Sequence, residues 1–322
     1  MIHIGLTGFG DHEELYGKLK PAERLRTYAA HFPVVEIDSF FYAVQPLKNT
    51  EKWTRETPDG FGFIVKAYQG MTGHLRGNKN YYDTDEDMFE AFHASIAPMR
   101  EAGKLVAALF QYPPWFECTR DNVARLRKTR AAMKDVPCAL EFRHQSWFWP
   151  EYREKTLAFM REEGWINTVV DEPAAGEGTI PTVSVATSPD IAYVRLHGRN
   201  ARGWVPNGNP KWRKVRYLYR YSTEELAIWR DRLLHLEREA KDVYVVFNNN
   251  SGGDATDNAR ELIRLVAEAS ASSVRVLAGI PGVPDGQLVL KDEPADGLKD
   301  GQEQTAADPA GGRQASTRNS AT

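Results

Sequence analysis

Eight short apolar runs recur along this chain, and helical patterns separate most of them. The runs are Ile2–Leu6, Val34–Asp38, Phe61–Lys66, Leu105–Gln111, Cys138–Phe142, Ile166–Val170, Ile191–Leu196 and Val243–Phe247. Helix-like stretches fall at Ala22–Ala30, Asp85–Arg100, Asn122–Met133, Glu151–Glu163, Glu224–Glu239 and Asp257–Glu268. Before the fifth of these stands Ser222-Thr223-Glu224-Glu225, a capping sequence that marks a helix start. Strands that alternate with helices read as parallel βαβ units. Eight is the count that closes a (β/α)8 TIM-type barrel of about 250 residues, and that is the expected fold.

Two stretches break the alternation. Pro173–Asp190 is rich in Gly, Pro and small residues, which predicts a missing or reduced sixth helix. Gly198–Ser222 is a long loop after the seventh run, carrying Trp204, Trp212, Tyr217, Tyr219 and Tyr221 among Arg and Lys. Loops of that length are uncommon in compact domains and often functional; this one reads as a stacking surface, a lid, or packing in place of the sixth helix. The barrel is expected over residues 1–280. Residues 281–322 turn to Gly, Pro, Asp, Gln, Ala, Ser and Thr, a composition that cannot bury a core and predicts a disordered tail.

Composition narrows the function classes. A net charge of −3 leaves no global nucleic-acid footprint, so any anion-binding surface is local. No apolar run reaches membrane-span length, and MIHIGLTGFG lacks signal-peptide features, so no membrane partner is expected. Cys118 and Cys138 have no CxxC partner and read as reduced thiols, which predicts a cytoplasmic location. The oligomeric state is not encoded in any pattern seen.

Strand ends hold the candidate chemistry. Side chains two apart on a strand face the same way, so Glu36 goes with Asp38, Glu141 with Arg143, and Arg195 with His197. Barrel active sites sit at the C-terminal ends of strands. That rim also collects Tyr42, Lys66, His74, Gln111, His144, Asp171, Glu172, Arg199, Asn248 and Asn249. Glu36 and Glu141 read either as a general acid/base pair or as parts of a structural ion-pair network. Lys66, Arg143, Arg195 and Arg199 read as an anion cradle, since at strand ends they match or outnumber the deep carboxylates; charge balance is the alternative. His197, between two arginines, is expected to be neutral. The FNNNSGGD turn (Phe247–Asp254) suits an anion site before a helix, or simple capping. No GxGxxG, Walker A, GxSxG, CxxC…CxxC or HExxH pattern occurs, so neither a nucleotide cofactor nor a metal is expected, although single ligands from separate strands leave a divalent metal open.

The segments VEIDSFFY, TPDGFGFIVKAYQGMTGH, LFQYPPWF, LEFRHQSW, VRLHGR and VFNNN, in this order, resemble the YecE-like family, Domain of Unknown Function 72. The resemblance spans nearly all of residues 1–280 and implies a TIM-type barrel. It implies little about chemistry, since the family lacks an established activity; its likeness to endonuclease IV-type and xylose isomerase-type barrels suggests a nucleic-acid or phosphate-ester role. The family's polar positions fall on Glu36, Tyr42, Lys66, His74, Gln111, Glu141, Arg143, His144, Arg195, His197, Arg199 and Asn248. The chain departs from it at Phe9 for Trp, Asp38 for Asn and Asn250 for Asp, and the last two change the site's charge. The leading expectation is an enzyme acting on a phosphate ester, with nucleic acid among the candidate substrates. Glu36 or Glu141 would be the base, His197 the acid or orienting group, and the cations the phosphoryl ligands. A non-catalytic barrel binding an anionic ligand or partner protein is one alternative, and a carbohydrate-active or isomerase-like barrel another.

Overall fold

The computed structural model describes residues 1–75, 80–204 and 215–278, with side chains through residue 270. Met1–Ser273 forms one compact unit, and Val274–Thr322 a second of which only the part to Ala278 is described. The expected disordered tail and Trp212 lie outside the described residues. Eight strands close a barrel in chain order: β1 Ile2–Thr7, β2 Val34–Ile37, β3 Gly62–Lys66, β4 Leu105–Gln111, β5 Cys138–Glu141, β6 Trp165–Asp171, β7 Ile191–Leu196 and β8 Asp242–Phe247. Every neighbouring pair is parallel, and β1 closes on β8 with Ile2 opposite Val243.

Side-chain alternation divides the strands into two packed layers. Val34, Ile64, Leu109, Ala139, Ile166, Tyr193 and Val246 fill the barrel interior. Residues of the other parity, among them Val35, Phe63, Phe110, Leu140, Val194 and Phe247, pack in the outer core with buried helix residues such as Leu126, Leu157 and Trp229. Each fully buried side chain of this kind contributes about 1.5–3 kcal/mol. Gly5 is where β1 and β2 approach too closely for any side chain, since a Cβ there would lie 2.0 Å from the Val34 carbonyl oxygen. Two residues beyond the interior layer, the same parity delivers Glu36, Lys66, Gln111, Glu141, Arg195 and Asn248 to the C-terminal mouth.

Helices cover the outside, the longest ending at the described limit, Asp254–Ala278. No helix lies between β6 and β7, so the sixth helix is missing. Asn167 fastens the replacing segment, donating from Nδ2 to the Val183 and Val185 carbonyls. The predicted Ala22–Ala30 helix begins as a 3-10 turn, Pro21–Glu23, before Arg24–Ala29. Leu47–Glu56 is a further helix, with few apolar residues to announce it. Among the described residues no helix is long and apolar enough to cross a membrane.

Candidate functional site

The mouth of the barrel has a floor of alternating charges. Arg195 lies between the two deep carboxylates, donating from Nε and Nη2 to Glu36 (2.8 and 2.6 Å) and from Nη1 to Glu141 Oε2 (2.6 Å). Tyr193 donates to Glu36 as well, and Gln111 Nε2 donates to Glu141 Oε1 at 2.6 Å. Arg143 continues the chain, with Nε 2.6 Å from Glu141 Oε1 and Nη1 donating to Glu172 Oε2 at 2.6 Å. All these groups are buried except Gln111, which is partly exposed. Removing one member of such a network strands a charge, which is costly.

Burial and pairing pull the carboxyls apart. Desolvation raises the Glu36 carboxyl above its ordinary range, against the pull of Arg195. Desolvation acts on Glu141 too, but Arg143 and Arg195 together hold it well below the usual carboxylate range. Glu172 is pushed up to about 7 by burial, despite Arg143 and a hydrogen bond from the Ile180 amide. His197 is driven well below its ordinary value by desolvation and by Arg143 and Arg195, so its ring is neutral. Arg143 Nη2 can only donate and stands 3.0 Å from His197 Nε2, so that nitrogen accepts. The proton therefore sits on Nδ1, 2.8 Å from the Asn248 amide, whose oxygen must face it.

Above the floor is a partly open rim. Lys66 Nζ lies 3.4 Å from Asp38 Oδ1, their side chains 14% and 37% exposed. Desolvation would raise the Asp38 carboxyl, but Lys66 and Arg195 hold it below its usual range. On the other side Arg216 stacks 3.7 Å from the Trp204 ring centroid, which also carries Arg143 at 5.3 Å. Among the described residues no group of three or more His, Cys, Asp or Glu side chains is placed to hold a metal ion.

The family model described as protein of unknown function DUF72 matches residues 3–281. The chain belongs to the DUF72 family. It is 54% identical over 268 residues to the UPF0759 protein YunF of Bacillus subtilis (strain 168), covering 83% of this chain and 95% of that protein. A DUF72 family crystal structure from Enterococcus faecalis V583 is similar at 40% identity and TM-score 0.78, covering 83% of this chain and 96% of that one. Another, from Thermotoga maritima MSB8, is similar at 33% identity and TM-score 0.71, over 83% and 99% of the two chains.

Within this DUF72 barrel, the sequence motifs VEIDSFFY, LEFRHQSW and VRLHGR carry β2, β5 and β7 into the charged floor. Glu36, Gln111, Glu141, Arg143, Arg195, His197 and Asn248 come together there, and Lys66 stands at the rim above them. Five other predicted site residues do not. Arg199 shares the sequence parity of Arg195, but Gly198 between them adopts φ +83, which reverses the chain. Its guanidinium instead pairs with Asp171 at 2.9 Å and Glu225 at 2.8 Å, tying β6 to the helix Thr223–Glu239. His144 caps the 3-10 turn Gln145–Phe148, accepting from the Ser146 amide. Asn249 donates to the Tyr219 carbonyl and to Asn258, bracing the base of the last helix. Tyr42 is 70% exposed at the outer edge of the helix Ser39–Tyr42. His74 stands apart from the floor, its Nδ1 2.8 Å from Thr72 Oγ1.

Each cation expected in the anion cradle faces a carboxylate. Lys66 pairs with Asp38, Arg143 with Glu141 and Glu172, Arg195 with Glu36 and Glu141, and Arg199 with Asp171 and Glu225; the buried acids Glu36, Glu141, Asp171 and Glu172 match the four cations in number. The Phe247–Asp254 turn is likewise occupied, with Arg220 bridging Asp254 and Asp257 at the start of the last helix. Sequence reading missed the roles of Tyr193 and of Arg216, and the stacking of Arg216 on Trp204 is set by the path of a loop. For Tyr193 a signal existed, since it lies two residues before Arg195 and so shares its inward parity.

Proposed function

We propose that this protein is an enzyme acting on a phosphate ester at the C-terminal mouth of the barrel. The observation that carries the reading is the position of Arg195. It occupies both deep carboxylates at once, so Glu36 and Glu141 are a sealed, neutralised floor rather than the two free carboxyls that sugar hydrolysis requires. What remains open to a ligand is a cation beside an ionised carboxylate, Lys66 and Asp38. In this reading Lys66 holds the phosphoryl oxygens, with Arg143 and Arg216 as flanking positive charge. Asp38 orients the attacking hydroxyl or water and takes its proton, the task a carboxylate performs in other phosphoryl transfers. Glu36 and Glu141 position Arg195 and Arg143 instead of serving as base, and neutral His197 holds Arg143 in register. Phosphoryl transfer depends chiefly on positioning and charge stabilisation, which a rigid ion-pair floor supplies.

A panel of aryl phosphate monoesters, phosphate diesters and aryl glycosides, each with and without divalent cations, tests this. Turnover of a phosphate ester that falls at least tenfold in Lys66→Ala and in Asp38→Asn, with melting temperatures unchanged, supports it. Glycoside turnover, or phosphate-ester turnover indifferent to both substitutions, overturns it. Absence of turnover with retained phosphate binding leaves the non-catalytic anion-binding barrel instead.

A further inference from the structure

Resting on that phosphate-ester reading, we infer that the mouth carries a ring-stacking subsite, and that the ester it takes is a nucleotide. Four aromatic side chains, from the helix Ser39–Tyr42 and from the segments after β3 and β4, form a chain of ring contacts that starts beside Lys66. Phe41 lies against Tyr42 at 5.3 Å and against His74 at 4.9 Å between ring centroids, and His74 lies against Trp115 at 5.8 Å. All three contacts are edge-to-face, with interplanar angles of 89°, 83° and 68°. The Lys66 ammonium sits 5.0 Å from the Phe41 centroid, so the ridge begins at the phosphate-holding cation.

Single exposed aromatics are ordinary and need no explanation. This ridge differs in continuity and in cost. Trp115 is 41% exposed although it follows Pro113-Pro114, which restricts the chain before it. Its ring is braced edge-on by His74, itself 2.8 Å from Thr72 Oγ1, so the indole is held in place. A held, partly exposed aromatic face two ring contacts along from a cation matches a ligand that joins a planar π-face to a phosphate. Base–aromatic stacking tolerates any base, since each has a π-face. A bare sugar phosphate has no π-face to stack on the ridge.

Binding is compared for adenosine 5′-monophosphate, adenosine, ribose 5-phosphate and inorganic phosphate, with wild type, Trp115→Ala, Trp115→Phe and Lys66→Ala. The nucleotide should bind wild type at least tenfold more tightly than ribose 5-phosphate. Trp115→Ala should remove that advantage and leave ribose 5-phosphate affinity unchanged, while Trp115→Phe should keep most of it. Equal wild-type affinities for nucleotide and sugar phosphate overturn the subsite, as does equal weakening of both by Trp115→Ala. The two readings fail separately. Adenosine binding as tightly as the nucleotide, with Lys66→Ala silent, removes the phosphate reading and keeps the stacking face. Phosphate binding without a base advantage does the reverse.

Discussion

Glu172 is the residue whose charge decides the balance of the floor. Its carboxyl titrates at about 7 in the folded chain, against an ordinary 4.5, because burial outweighs Arg143. The folded state therefore holds this proton more tightly than the unfolded state. Its contribution is fully present below the unfolded value and is lost as pH rises through the folded one. Glu172→Gln removes the titration while losing one partner of Arg143. Wild type should thus lose roughly 3 kcal/mol relative to Glu172→Gln between about pH 5 and about pH 8. Urea unfolding at several pH values measures this, and a stability difference that is flat with pH would show the carboxyl to be ionised throughout. Arg195 gives the opposite kind of test. Arg195→Met leaves Glu36 and Glu141 buried without their shared cation and should cost about 3–5 kcal/mol. Adding Glu36→Gln to that variant should recover part of the loss, since one stranded charge is then gone.

Elements show where local chemistry was readable. The helix Thr223–Glu239 starts in a full capping box, with Ser222 Oγ accepting from the Glu225 amide and Glu225 accepting from the Ser222 amide. Ser222→Ala should destabilise by about 1 kcal/mol. Glu225→Ala should cost more, because that carboxylate also receives Arg199 and Tyr219; thermal melts of the two variants give the ordering. That helix start was legible because capping depends on four consecutive residues. The eight strands and the inward parity of Glu36, Glu141 and Arg195 were legible for the same reason, as period-two alternation is local. Parity failed at Arg199, where Gly198 turns the strand direction, and it could not say which acid each cation would meet. Leu47–Glu56 escaped notice because it offers little beyond Leu47 and Trp53 as an apolar stripe. The ridge of Phe41, His74 and Trp115 was invisible for a different reason: its members follow three different strands and meet only when β2, β3 and β4 align.

At the scale of the whole molecule, the floor and the rim predict different responses to an anion. The floor is internally paired and buried, so inorganic phosphate can enter it only by opening ion pairs shorter than 3 Å. The rim is open and its Lys66–Asp38 pair is longer, at 3.4 Å. Phosphate should therefore bind at the rim and stabilise the fold by mass action, by about 1.4 kcal/mol at a phosphate concentration ten times its Kd. Each kcal/mol should raise the melting temperature by about 2–4 °C for a domain near this size. Exposed charges are screened within roughly 10 Å at moderate ionic strength, so adding salt should shrink the shift markedly. Lys66→Ala should abolish it without lowering the apo melting temperature by more than a degree or so, since that side chain is not part of the buried ring. Arg143→Ala should behave differently, lowering apo stability by about 3–5 kcal/mol because Glu141 and Glu172 lose their cation. Calorimetric melts of the three proteins, with and without phosphate at two salt concentrations, separate the cases. A phosphate shift that survives both high salt and Lys66→Ala would place the anion in the floor, and the rim would then have no part in holding it.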